Sequence, residues 1–218
     1  LPAKPDGALP AAADAFRQTG FVLGKALRLF AEGMTLQLRI LQDSSHSRYR
    51  THTYAAVVST WARAYTALAD ACLLVTRGSY ASVPNLVRSA AELIAAEYQL
   101  HRDEMGEYVG WLLGHLRPDD EHKAFDVGLG HYFAGTTLAA DGGLRLVYRA
   151  ASDLGRPNFG ATLLEIAPES NNLRLAYTFA DASFHVAWAE VELGWLIRLS
   201  ERQLAVAVNM QDVLNITP

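Results

Sequence analysis

Residues 184–203 read FHVAWAEVELGWLIRLSERQ, and this stretch gives the clearest evidence on the fold. When its residues are placed at about 100° intervals, the aliphatic and aromatic side chains fill one broad arc. The charged side chains gather on the opposite side, at Glu190, Arg198, Glu201 and Arg202. One apolar face and one charged face predict a long helix that packs against the interior of a helical domain.

Two polar residues interrupt the apolar arc of this helix. His185 and Glu192 are seven residues apart, so the helical period brings them to the same face. An unpaired charge inside a protein costs several kcal/mol, and both side chains therefore need partners. We expect the two residues to belong to an internal polar cluster.

The length and composition are those of an ordinary globular domain. The chain has 218 residues, of which 50% are hydrophobic and 19% charged, and its formal net charge is −4. We expect a flexible lead-in over residues 1–10 and a single domain over residues 11–218. The few lysines and the scattered arginines form no basic run, so nucleic acid is not an expected partner.

Cys72 is the only cysteine, which excludes an intrachain disulfide framework and a multi-cysteine metal site. The thiol lies among Ala71, Leu73 and Leu74, where we expect a small buried side chain and not a nucleophile. No stretch reaches the ~18 uncharged apolar residues of a membrane span. Because residues 1–10 also lack a signal-peptide pattern, we expect a cytoplasmic protein with no membrane partner.

Apolar residues at helical spacing recur along the chain, and no segment shows the sustained two-residue alternation of a strand. The fold class is therefore predicted to be all-α, a helical bundle of about six or seven helices with no significant sheet. The expected helices cover residues 11–42, 53–77, 80–101 with Pro84 in the first turn, 103–116, 121–140, 144–154 and 159–166, followed by a last helical region from about residue 172.

The helix expected after Asp103 carries a stripe of small residues at Gly106, Gly110 and Gly114. Each glycine costs roughly 1 kcal/mol relative to alanine in a helix interior. The stripe either lets another backbone or a ligand approach closely or is incidental.

The third helix has a narrow polar stripe on an otherwise apolar circumference. Asn85, Arg88, Glu92 and Gln99 lie within about 60° of one another on the helical wheel. In one interpretation the stripe is solvated, and the i, i+4 pair of Arg88 and Glu92 is a surface ion pair. In the other it faces the interior and meets His185 and Glu192, forming a cluster that could orient a ligand carboxylate or serve acid–base chemistry.

Several short motifs resemble a bacterial all-helical family that is known only as a domain of unknown function. They are Arg77-Gly78-Ser79-Tyr80, Leu86-Val87-Arg88-Ser89-Ala90-Ala91-Glu92, Tyr177, and Asp181-Ala182-Ser183-Phe184-His185. The family's marks are an arginine and a glutamate four residues apart after a glycine-aromatic turn, and a Tyr…Ser-x-His signature before the final helix. The resemblance implies a helical bundle in which Arg88, Glu92, Tyr177, Ser183 and His185 belong together, and it implies no activity.

The chain also has a distant similarity to the HEPN class of helical domains, some of which are ribonucleases. Those enzymes use an arginine, a polar residue and a histidine a few positions on, and residues 117–122 have this spacing. Pro118 stands where the polar residue is expected, and the segment resembles a turn. In an enzyme of this kind His185 or His122 would carry out the acid–base work.

Metal and serine-hydrolase chemistry have weaker support. Glu97 and His101 are one helical turn apart, but a di-iron carboxylate bundle needs Glu-x-x-His on two helices, and the chain has none. We therefore expect no metal and no cofactor. Ser183 and His185 are two residues apart near a helix start, where serine is a favoured N-cap.

Three functions are compatible with these patterns. The first is small-molecule binding or sensing through Arg88, Glu92, Tyr177, Ser183, His185 and Glu192, with Trp188 and Trp195 as apolar walls. The second is a HEPN-like ribonuclease or toxin-type enzyme, and the third is an interaction module whose buried polar network only fixes the packing. The wide apolar arcs of several helices also favour a homodimer.

Overall fold

The computed structural model describes residues 2–3, 10–44, 52–103, 133–157, 166–167, 170–178 and 181–214. Over these ranges the protein is all-α, as predicted. The helices are α1 (Pro10–Val22), α2 (Gly24–Asp43), α3 (His52–Thr76), α4 (Val83–Asp103), α5 (Gly135–Ala140), α6 (Gly142–Gly155) and α7 (Val186–Leu214). None of the described helices combines the length and the apolar character needed to cross a membrane.

Helix α7 lies against α2, α3 and α4, and α3 packs along α4. The direction of α7 follows from its contacts at both ends. Gly78, just before α4, approaches Ala182, just before α7. Near the other end of α4, the Tyr98 hydroxyl donates to the carbonyl of Arg202 at 3.2 Å. Helices α4 and α7 are therefore parallel.

Buried aliphatic side chains fill the core between the helices, including Leu68, Ile94, Leu144, Leu193, Leu196 and Leu199.

A tight turn makes α3 and α4 antiparallel neighbours. Gly78 ends α3 with a φ of 75°, and the Ser79 N–H donates to the carbonyl of Leu74 at 3.0 Å. This left-handed residue after a helix is the position that glycine adopts without steric cost. A 3-10 turn over Tyr80–Ser82 then leads into α4, with Pro84 in its first turn, as predicted.

The prediction of one long helix over residues 11–42 is wrong. The chain forms two helices there, because Leu23 leaves the helical conformation with φ −110° and ψ 18°. Gly20 and Gly24 flank the break, and glycine lowers the local helix propensity by about 1 kcal/mol per residue. The apolar spacing continues across the break, which is why periodicity alone did not reveal it.

The prediction that the last helical region starts near residue 172 is also wrong, since α7 begins at Val186. The Asn171 side chain accepts hydrogen bonds from the N–H groups of Leu173 (2.9 Å) and Arg174 (3.0 Å). Such local side-chain bonds offer the backbone an alternative to a helix. The segment instead contains two isolated bridges, Ile166 with Tyr177 and Asn171 with Arg174.

Helix α6 confirms the helix predicted over residues 144–154 and begins two residues earlier. Asp141 caps it, accepting from the N–H groups of Gly143 (2.8 Å) and Leu144 (2.9 Å). Helix α5 lies within the helix predicted over residues 121–140. The glycine stripe at 106, 110 and 114, the histidines at 115, 122 and 131, and the segment 117–122 lie outside the described residues.

Candidate functional site

Arg88 and Glu92 on α4 form the predicted ion pair. The distance from Arg88 Nε to Glu92 Oε1 is 3.2 Å, and the two side chains are 39% and 16% exposed. The Arg88 guanidinium also lies over the Tyr148 ring, 5.9 Å from its centroid. Partial burial would lower the pKa of Arg88, but the hydrogen bond and the charge of Glu92 outweigh it and raise the pKa. Arg88 is therefore a fixed cation that holds one oxygen of Glu92.

Glu92 also lines a cavity of about 310 Å³ between α3 and α4, which we call the α3–α4 cavity. Its lining combines hydroxyl groups, opposite charges and apolar side chains. The lining residues are Ala56, Ser59, Thr60, Arg63, Glu92, Leu93, Ala96, Leu100, Phe133 and Ala134.

The polar and apolar groups of the α3–α4 cavity are separated along its length. Because α3 and α4 are antiparallel, Arg63, the last α3 residue of the lining, and Glu92, the first α4 residue of the lining, both lie toward the end nearer the α3–α4 turn. Ala56 and Leu100 lie together toward the other end. The seven residues from Ala56 to Arg63 rise about 10 Å along α3. The cavity thus has a charged end and an apolar end.

A second polar group lies at the start of α7, and we call Tyr80, Asp181, His185 and Glu192 the α7 N-terminal cluster. His185 Nε2 is 2.5 Å from Asp181 Oδ2. The other Asp181 oxygen accepts from the Ser183 N–H at 2.9 Å. Partial burial would raise the pKa of Asp181, but these hydrogen bonds outweigh it and lower the pKa. Asp181 is an ionised acceptor that orients the imidazole.

Tyr80 joins this cluster to the turn between α3 and α4. Its hydroxyl accepts from the His185 N–H at 3.3 Å, and the two rings meet edge to face with centroids 6.0 Å apart. Burial raises the pKa of Tyr80 to about 12, and the nearby Glu192 and Asp181 carboxyls add to that shift. Tyr80 is therefore a neutral phenol at physiological pH.

The backbone of the segment before α7 lies directly on Gly78. A Cβ atom at Gly78 would be 2.4 Å from the Ala182 carbonyl oxygen and 2.9 Å from that of Ser183. Such distances are far below van der Waals contact, so only glycine fits there. The motif Arg77-Gly78-Ser79-Tyr80 and the motif that ends in His185 thus meet in space.

Glu192 is fully buried, and neither of its carboxylate oxygens has a hydrogen-bond partner among the described residues. Burial raises its pKa to about 9. At neutral pH the side chain is consequently a protonated acid, because ionising it would leave an uncompensated charge in the interior.

The structure brings only some of the predicted site residues together. His185, Glu192 and the backbone of Ser183 share the α7 N-terminal cluster. Within the described chain no hydrogen bond or ion pair links this cluster to Arg88 and Glu92. The Tyr177 side chain is 64% exposed. Of the predicted walls, Trp195 is buried and Trp188 is partly buried against the core.

Ser183 does not have the role expected from sequence. The first hydrogen bond of α7 runs from the Ala189 N–H to the His185 carbonyl at 3.0 Å. The N-cap position is therefore His185 and not Ser183. Ser183 contributes its backbone N–H to Asp181 and its carbonyl to the contact with Gly78.

A third polar group crosses the centre of the bundle. The Gln203 amide donates to Glu97 Oε1 (2.9 Å) and to the Trp61 carbonyl (3.1 Å). The Trp61 indole donates to Gln37 Oε1 at 2.7 Å, and the Gln37 amide reaches the Ser200 carbonyl at 3.4 Å. Burial raises the pKa of Glu97 well above its usual range, although the bond from Gln203 opposes the shift. These contacts tie α2, α3, α4 and α7 together.

Sequence reasoning missed several partners of the site residues. Asp181 could have been found from its i, i+4 spacing to His185. Arg63 was expected on the outer face of α3, where it is indeed exposed, but the sequence did not show that it also lines the α3–α4 cavity. Gln37 and Gln203 carry no signal in sequence because their role depends on which helices face each other. Burial raises the pKa of Cys72 to about 12, which leaves it an unreactive thiol.

Among the described residues, no group of three or more His, Cys, Asp and Glu side chains could hold a metal ion. Comparisons of the chain with protein-family models, with curated proteins and with solved structures found no match.

Proposed function

We propose that this protein binds a small molecule in the α3–α4 cavity. The observation that carries the proposal is the combination, in one cavity of about 310 Å³, of the Glu92 carboxylate and the Arg63 guanidinium with an apolar end. Ligand sites are typically concave and mostly apolar, with a few polar groups that fix the orientation of the ligand. Arg63 is exposed and Glu92 is partly buried, so both charged groups are accessible to a ligand from solvent.

This proposal divides the predicted site into two parts. Glu92, held by Arg88, contacts the ligand, whereas the α7 N-terminal cluster fixes the entry of α7 against Gly78. Neither His185 nor Glu192 belongs to the lining of the α3–α4 cavity, in keeping with this division.

The test is protein-observed ¹H–¹⁵N NMR with a library of small organic acids, amines and amino acids. We expect shift changes to cluster at the cavity lining, including Thr60, Glu92 and Phe133. The variant Ala96→Phe places a ring in the cavity and should abolish these changes. The matched control is Ala205→Phe, at an exposed position of α7, which should leave them intact. Binding that is absent, or that survives Ala96→Phe in the folded variant, would refute the proposal.

A second candidate is an enzyme, such as a HEPN-like ribonuclease, in which His185 carries out acid–base catalysis. The supporting observation is that His185 is 32% exposed and hydrogen-bonded to the ionised Asp181. Cleavage of single-stranded RNA that is lost in His185→Gln would support it.

A third candidate is an interaction module with a structural polar network. Such a module would contain a network like the central one of Gln37, Trp61, Glu97 and Gln203.

A homodimer in the cytoplasm remains part of this proposal. Its support is the apolar surface of α1 and α2, where Phe21 is 91% exposed and Leu29 and Leu36 are about half exposed. Exposed apolar patches commonly mark interaction sites. Sedimentation equilibrium should show a dimer that Leu29→Glu dissociates, and a monomeric wild type would exclude it.

A further inference from the structure

We infer that the ligand of the α3–α4 cavity is a zwitterion with an apolar tail, of the kind formed by an α-amino acid with a large apolar side chain. The inference rests on the proposed function and names its ligand class. It is drawn from the charge state of each cavity wall and from the separation of charged and apolar groups along the cavity.

The carboxylate of the ligand is assigned to Arg63. No ion pair or hydrogen bond joins the Arg63 side chain to another described residue, although it lines the cavity. A guanidinium presents several N–H donors in a planar fork that matches a carboxylate. Ser59, one helical turn earlier on α3, adds a hydroxyl on the same wall.

The ammonium group of the ligand is assigned to Glu92. The hydrogen bond that Glu92 makes to Arg88 uses Oε1, and within the described chain Oε2 has no bound donor. Thr60 also offers an acceptor to the cavity. Its hydroxyl donates its hydrogen to the Ala56 carbonyl at 2.8 Å, so it can only accept a hydrogen bond from a ligand. An ammonium group supplies the donors that both oxygens need.

The tail of the ligand is assigned to the apolar end. Ala56, Leu100 and Phe133 line this part of the cavity and offer no charge. A cavity of about 310 Å³ is near the lower end of the ~300–1,000 Å³ range of ligand sites and is large enough for one amino acid with a large side chain.

The test is isothermal titration calorimetry with four matched probes: L-phenylalanine, 3-phenylpropanoate, 2-phenylethylamine and glycine. The first has both charges and the tail, and each of the others lacks one of these parts. We expect L-phenylalanine to bind at least tenfold more tightly than each of the other three. This ranking is measured on the wild-type protein and needs no variant.

Two substitutions then assign the charges. Arg63→Gln should remove the preference over 2-phenylethylamine, because the two compounds differ in the carboxylate. Glu92→Gln should remove the preference over 3-phenylpropanoate, which differs in the ammonium group. Arg149→Gln, at an exposed position of α6 outside the cavity, is the control and should change neither preference. Each variant is checked for its melting temperature.

Equal binding of the three phenyl compounds would overturn the inference. So would preferences that survive both substitutions. If the NMR library occupies the cavity but L-phenylalanine does not bind, the ligand class is wrong and the proposed function stands. If nothing in the library occupies the cavity, the proposed function has failed, and the ligand class fails with it.

Discussion

At the scale of single residues, Glu192 is a buried acid in an unfavourable environment. Its carboxyl group is fully buried, lacks hydrogen-bond partners among the described residues, and has a pKa raised from 4.5 to about 9. The unfolded chain releases this proton near pH 4.5, whereas the folded protein keeps it until about pH 9. The free energy of unfolding therefore falls as the pH rises between these values, by at most about 1.4 kcal/mol per pH unit.

We expect Glu192→Gln to remove this pH dependence, because glutamine is neutral in both states. The stability of the variant relative to wild type should increase steadily from about pH 5 to about pH 9. Urea denaturation across that range measures the difference. Glu190→Gln, on the exposed face of the same helix, is the control. Parallel pH profiles for Glu192→Gln and wild type would contradict the assignment of a buried neutral acid.

Gly78 is the second residue on which the fold depends. Gly78 has a φ of 75°, and the Cβ of an alanine there would collide with the Ala182 carbonyl oxygen, so the substitution would force the segment before α7 to move. We expect Gly78→Ala to lower the free energy of unfolding by about 2–4 kcal/mol. Chemical denaturation measures the loss.

The control for this change is Gly20→Ala. Nothing lies within 4 Å of a Cβ at Gly20 in helix α1, so the substitution should stabilise the protein by about 0.5–1 kcal/mol. A loss in Gly78→Ala no larger than the change in Gly20→Ala would mean that the contact between residues 78 and 182 does not constrain the fold.

At the scale of helices, the best local determinant is the cap of α6. Asp141 accepts from two backbone N–H groups and is 3.7 Å from Arg202 on α7. We expect Asp141→Ala to destabilise the protein by about 1 kcal/mol and Asp141→Asn to cost only a few tenths, because asparagine also caps well. Thermal or urea unfolding distinguishes the two. Equal losses would assign the effect to charge and not to the cap.

Helix positions could be predicted where local chemistry and apolar spacing agree. The turn at Gly78, the first turn of α4 with Pro84 and helix α6 follow from residues that are adjacent in sequence. The break at Leu23 and the late start of α7 could not be found in this way. In both places apolar residues continue at helical spacing although the backbone is not helical. Flanking glycines weaken the helix at Leu23, and hydrogen bonds to the Asn171 side chain favour a turn before α7.

At the scale of the whole molecule, the candidate site was only half predictable. Spacing within one helix identified the Arg88–Glu92 pair and placed His185 and Glu192 on one face. Which helix faces each pair depends on the packing of the bundle. In the packed bundle, Glu92 lines the α3–α4 cavity together with Arg63, and His185 contacts Tyr80 and Asp181.

A ligand site with a charged end and an apolar end should accept an amino acid between α3 and α4. The most direct measurement is a crystal structure of the protein soaked with L-phenylalanine at saturating concentration. We expect difference density between α3 and α4, with the carboxylate at Arg63, the ammonium group at Glu92 and the ring toward Leu100 and Phe133. Two results would contradict a ligand site in this cavity. One is density for L-phenylalanine only outside the cavity, and the other is well-ordered crystals in which neither L-phenylalanine nor any other fragment binds between these helices.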